Sequence, residues 1–154
     1  MGVAGMMSIM MERAREVQVF AGKQLSPDGA CDYTDVEQWK LVQTHLSQVL
    51  AELEKAEGGS PEEEGELVLA ILMGYCVTVR NGRNVQRALQ RAERVLPHLT
   101  DAVLKCKLAV YCYVEFPDEE LASMVESLLS EVKAQGRGEE IRQVEMQFRM
   151  LASV

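Results

Sequence analysis

From Leu67 onward the chain is apolar on every side of a helix, because Leu67, Val68, Leu69, Ala70, Ile71, Leu72 and Met73 follow one another without a polar residue. A helix on the surface of a globular protein keeps one polar face, so this one has to be wrapped by others. Its start is marked by Ser60-Pro61-Glu62-Glu63, just after Gly58-Gly59: an N-cap residue, a proline at the first helical position and an acid at the third. Asn81-Gly82 provides a stop. The apolar stretch reaches Val79 and holds about a dozen residues, too few for the roughly 20 that span a membrane. The segment therefore predicts a central buried helix, and the rest of the chain must supply its cover.

The flanking sequence has the periodicity to do so, with apolar residues recurring at spacings of three and four and few alternating β-branched runs. A first helix is predicted from about Ser8 to Gln24, with Met10, Ala14, Val17 and Phe20 on one face and Ser26-Pro27-Asp28-Gly29 beyond it. A second is capped by Thr34 with Glu37 and carries Val36, Trp39, Val42, Leu46, Val49 and Leu53 as far as Glu57. A fourth runs from Asn84 to Leu96 and is stopped by Pro97. Thr100 caps a fifth that reaches about Val114, Asp118 begins a sixth that ends at Gly136, and the seventh covers residues 139–151. The expected fold is all-α, a compact bundle of about seven antiparallel helices in a single domain over residues 1–154. Residues 1–57 form its N-terminal helices and 60–135 its core. The similar lengths of the pairs 60–96 and 100–135 fit a repeat-like shape, although the fixed tryptophan, glycine and proline positions of a tetratricopeptide repeat are missing.

Catalytic machinery is not evident. The sequence has only two histidines, His45 and His98, and no H-E-x-x-H, P-loop, G-x-G-x-x-G or G-x-S-x-G spacing. Both histidines read as structural or solvent-facing. Glu62, Glu63, Glu64 and Glu66 lie in the first turns of a helix, where the dipole favours negative charge. Glu115, Asp118, Glu119 and Glu120 could form a carboxylate pair only if a cleft held them. Thiols and imidazoles never cluster at ligand spacing, so no metal and no cofactor is expected. Cys31, Cys76, Cys106 and Cys112 form no C-x-x-C pair and read as reduced thiols of a cytoplasmic protein. The apolar N-terminus lacks a basic leader and meets Glu12 almost at once, which argues against a signal peptide.

The charge is unevenly distributed. With 24 acidic and 16 basic residues the net charge is -8, yet between Arg80 and Lys107 seven basic residues face only Glu93 and Asp101. That segment carries +5 and leaves -13 elsewhere, so the molecule is electrically two-sided. On a helical wheel Arg83, Arg87, Arg91 and Arg94 fall within an arc of about 80°, opposite Val85, Ala88, Leu89, Ala92, Val95 and Leu96. Such a ridge reads as a solvated face or as a recognition surface. The solvated face is the usual meaning of a charge run on a helix; arginine at all four positions is what supports recognition, since it captures carboxylate or phosphate in a bidentate way and is enriched at interface hot spots. Tyr75, Tyr111, Tyr113 and Phe116 sit in apolar surroundings, and Tyr75 and Tyr111 read as core. Tyr113, two residues from Tyr111, has to point elsewhere and is the aromatic candidate for partner contact, together with Arg83, Arg87, Arg91 and Arg94.

Read as text, Glu66 to Tyr75, Asn81-Gly82, Leu99 to Lys107, Tyr111-Cys112-Tyr113 and Asp118-Glu119-Glu120-Leu121-Ala122 together resemble the UpxZ family of trans-acting inhibitors from bacterial capsular polysaccharide loci. The resemblance covers roughly residues 60–135, and the first 55 residues add little to it. It implies a protein that inhibits transcription antitermination by acting on NusG-like antiterminators, the UpxY proteins, with no catalytic residues to carry over. The partner is then an antiterminator protein, with no direct contact to nucleic acid and none to membrane. Two other readings compete. A nucleic-acid binder would use the arginine ridge on phosphates, against the net charge. A tetratricopeptide-like chaperone or adaptor would present a concave groove between helices.

Overall fold

The computed structural model describes residues 3–25, 36–78 and 82–153. Among them are seven α-helices and no strand: α1 (Val3–Leu25), α2 (Val36–Lys55), α3 (Pro61–Cys76), α4 (Gly82–Val95), α5 (Ala102–Glu115), α6 (Glu119–Ala134) and α7 (Arg142–Ala152). Short 3-10 turns follow α4 at Leu96–His98 and precede α7 at Gly138–Ile141. The all-α expectation holds, and with it the central place of the third helix. Every residue of α3 from Leu67 to Tyr75 is buried, and α1, α2, α4 and α5 all pack against it.

The order of packing departs from simple sequential pairing. The most extensive contact of α1 is with α3, not with its chain neighbour α2. The cause lies in α3 itself: a helix without a polar side has to be covered all round, and α2 and α4 leave a flank that α1 fills. Two glycines let the neighbours approach closely. A Cβ on Gly74 would lie 2.5 Å from Leu50 Cδ2 of α2, and one on Gly65 would lie 2.9 Å from Leu99 Cδ2. Glycine inside a helix costs about 0.5–1 kcal/mol relative to alanine. Here the close contacts of Leu50 and Leu99 offset that cost.

The start signal of α3 works as read, since Ser60 Oγ accepts the Glu63 N–H at 3.2 Å. The helix ends at Cys76, before the predicted Asn81-Gly82 stop. α5 is capped by Asp101 rather than Thr100: Asp101 Oδ1 accepts the Val103 N–H at 3.0 Å, while the Thr100 N–H and hydroxyl both donate to Glu62 Oε1. α6 begins at the Asp118 cap and ends in a Schellman motif, with Gly136 at φ 74° and the Arg137 N–H bonded to the Val132 carbonyl. The Thr34 cap, Trp39 and Cys31 lie outside the described residues and side chains. Cys106 and Cys112 are buried thiols in the core, as expected of small apolar side chains.

Candidate partner-binding surface

α4 is the most strongly amphipathic helix by sequence, and the fold uses both of its sides. Val85, Ala88, Ala92 and Val95 are buried against α3 and α5, which turns the arginines outward. Arg83, Arg87 and Arg94 are exposed. Arg91 is not: its side chain is 16% exposed and grips the start of α3. Its Nε donates to Glu64 Oε2 and its Nη2 to Glu64 Oε1, both at 2.7 Å, and Nη2 also donates to the Ala56 carbonyl at 2.8 Å. The expectation that all four arginines form a water-facing ridge is corrected here. A helical wheel places Arg91 among the outer residues but cannot see that the loop before α3 folds over it.

Glu64 is fixed by this arrangement. It also accepts the Gly58 N–H at 3.0 Å. Burial works to raise its pKa, but the hydrogen bonds from Arg91 and Gly58 and the charges of Arg91 and Arg94 outweigh burial and hold the carboxyl below its ordinary value of 4.5. The acidic first turns of α3 are thus more than a response to the helix dipole. Glu62 ties α3 to Thr100, Glu64 ties it to α4, and Glu66 Oε2 accepts from Gln18 Nε2 of α1 at 2.8 Å.

Beside this ion pair lies an open cleft of about 480 Å³, lined by Glu54, Glu57, Glu64, Arg87, Arg91 and Arg94 among others. The Tyr75 hydroxyl, close by, donates to Glu54 and accepts from Asn84 Nδ2 at 3.1 Å. Burial, and then the Glu54 hydrogen bond, push the tyrosine up to about 12, so it stays neutral. Arg87, Arg91 and Arg94 therefore share one cleft, while Arg83 is not part of its lining. Tyr113 is elsewhere. It is half-buried on α5 and packs edge-on against Phe148 of α7, with ring centroids 5.1 Å apart and planes at 65°. Tyr75 and Tyr111 are buried as expected, whereas Phe116, read as lying in apolar surroundings, is 63% exposed.

That exposed phenylalanine belongs to a second, larger groove of about 760 Å³ on the other side of α4, walled by α4, the end of α5 and the start of α6. Leu89, Leu96 and Leu121 form its floor, and Phe116 and Met124 stand exposed at its lips. Glu115, Asp118 and Glu120, three of the carboxylates singled out in the sequence, border it. Sequence periodicity could not reveal this groove, because it arises where three helices leave a gap. Among the described residues no group of three or more His, Cys, Asp or Glu is arranged to hold a metal ion, and no helix is long and apolar enough to cross a membrane.

Residues 14–114 match the family model for the UpxZ family of transcription anti-terminator antagonists. The chain belongs to the UpxZ family. Its match begins in α1 and takes in α2, so the first 55 residues carry more of the family pattern than the textual resemblance over 60–135 reveals. The crystal structure of a transcription anti-terminator antagonist UpxZ from Bacteroides uniformis ATCC 8492 is 26% identical, with a TM-score of 0.72 over 92% of this chain and 92% of that one. No curated protein matches this chain. The arginine cleft and the α4–α5–α6 groove are thus surfaces carried by a UpxZ fold, in a family defined by regulation of transcription and not by an enzymatic reaction.

Proposed function

We propose that this protein antagonises antitermination by binding a NusG-like antiterminator of the UpxY kind directly, and so lowers read-through of capsular polysaccharide operons in the cytoplasm. The observation that carries this reading is membership of a family of anti-terminator antagonists. An antagonist without catalytic groups has to act by occupying its target, and the uneven charge of this chain suits it to that task. The exposed Arg83, Arg87 and Arg94 offer donors to an acidic patch, and the acidic remainder of the surface steers the encounter with a basic, nucleic-acid-associated partner.

The test is isothermal titration of the purified protein with a purified UpxY antiterminator, paired with a reporter placed behind a capsule operon leader. Direct binding and reduced read-through are expected, with no need for nucleic acid in the titration. Absence of binding by the wild-type protein discards the reading. Binding that appears only when leader RNA is present replaces it with a nucleic-acid mechanism.

A further inference from the structure

We propose that the groove between α4, α5 and α6 is a docking site for a basic amphipathic helix of a protein partner. Assigning that helix to the antiterminator rests on the reading above; the docking chemistry does not.

The floor of the groove is apolar and already set. Leu96 is 5% exposed, and Leu89 and Leu121 are partly buried against the core, so little side-chain ordering remains to be done on binding. At the lips the opposite holds: Phe116 is 63% and Met124 37% exposed, and these large apolar side chains gain most from being covered. An unbranched methionine and a rim phenylalanine are suited to gripping a second apolar surface.

Charge selects the partner. Four carboxylates, Glu93, Glu115, Asp118 and Glu120, line the groove against one base, Lys105. Their field is felt at the floor, where burial first, and then the charges of Glu93 and Glu115, push the Cys112 thiol up to about 12. A bound segment therefore has apolar residues facing inward and lysine or arginine along its flanks.

Backbone chemistry selects the conformation. The α4 wall is mid-helix, where N–H and C=O groups are spent within the helix, and no strand edge exists among the described residues to pair with an extended peptide along its length. An extended segment in this groove would leave its own backbone groups unpaired against Leu89 and Leu121. A helix satisfies its backbone internally and needs only side-chain contacts.

The probes are two synthetic amphipathic peptides of about 18 residues with leucines at helical spacing, one with lysine and one with glutamate on the flanks. Their binding to the full chain is followed by fluorescence anisotropy and circular dichroism. The lysine peptide is expected to bind about tenfold or more tightly than the glutamate peptide and to become helical. Glu93→Lys with Glu120→Lys, both exposed positions, should weaken it about tenfold. Phe116→Ser with Met124→Ser should do the same, whereas Met146→Ser with Met150→Ser on the exposed side of α7 should change nothing. Equal affinity for the two peptides, no binding of either, a bound peptide that stays non-helical, or equal losses in the groove and α7 variants would each overturn the proposal. The same groove variants are then titrated with the antiterminator. If wild type binds and the groove variants bind equally well, the antiterminator does not use this groove although the functional reading stands. If wild type does not bind it, the functional reading fails and the peptide result stands alone.

Discussion

Arg91 and Glu64 form a two-pronged ion pair, Nε to Oε2 and Nη2 to Oε1, that locks the middle of α4 to the first turn of α3. The side chains are only 16% and 22% exposed, so the pair is shielded from solvent screening, and Arg91 also closes the loop after α2 through the Ala56 carbonyl. Arg91→Ala leaves Glu64 with only the Gly58 N–H and that carbonyl without its Arg91 donor, and should lower stability by about 1–3 kcal/mol. Arg91→Lys should recover only part of the loss, because an ammonium cannot span both carboxylate oxygens and the carbonyl. Urea unfolding of the two variants checks this, and a lysine variant as stable as wild type would contradict it.

The same pair gives a pH dependence. The Glu64 carboxyl is held below its ordinary value in the folded protein, so the folded state binds its proton less readily than the unfolded chain. Its contribution is therefore present above the unfolded value of 4.5 and is lost as pH falls through the folded value. Unfolding curves between neutral pH and about pH 3 should show stability falling with acid, and Glu64→Gln should flatten that fall. An equally steep fall in the glutamine variant would place the titrating group elsewhere.

The glycines of α3 give opposite expectations from that of α4. Gly74→Ala places a methyl group 2.5 Å from the end of the Leu50 side chain, which is 1% exposed and must shift within a packed core, so a loss of about 1–3 kcal/mol is expected even though alanine is the better helix former. At Gly82 a Cβ meets nothing within 4 Å, and Gly82→Ala should be neutral or slightly stabilising. Thermal melts of the two variants separate a packing effect from a propensity effect.

These particulars show how far the sequence reaches. The all-round apolar run of α3 and its Ser60-Pro61 start are local features, and a buried central helix follows from them directly. Leu72, 1% exposed, is where that expectation is most exposed to test: Leu72→Asp buries a charge without a partner and should prevent folding, as seen by loss of helical circular dichroism or of soluble protein. Arg91 departs from its helical-wheel position for the opposite reason. Its partner is 27 residues away, and a wheel drawn for α4 alone assigns it to water. The preference of α1 for α3, and the groove bordered by Phe116, are likewise properties of how helices meet, which periodicity within one helix does not encode.

The arginines of α4 consequently separate into a structural member and exposed members, and variants can tell them apart. Arg87 and Arg94 are exposed, and Arg94 Nε reaches the Gln90 carbonyl of its own helix at 3.4 Å. Arg87→Glu with Arg94→Gln removes two exposed cations from beside Glu54 and Glu64 and should therefore lower the urea midpoint by less than Arg91→Ala does. If these side chains touch an acidic patch on the antiterminator, the same double variant should weaken its binding by about 1–3 kcal/mol, through lost charged hydrogen bonds and added repulsion, with a shallower salt dependence. Arg91→Glu should behave differently, because it sets a carboxylate against Glu64 and loosens α4, so that stability and affinity fall together. Titration calorimetry with a circular dichroism control distinguishes the cases. Unchanged affinity in the Arg87 and Arg94 variant would remove the arginine side of α4 from the interface and leave the acidic-rimmed groove on its other side as the surface to examine.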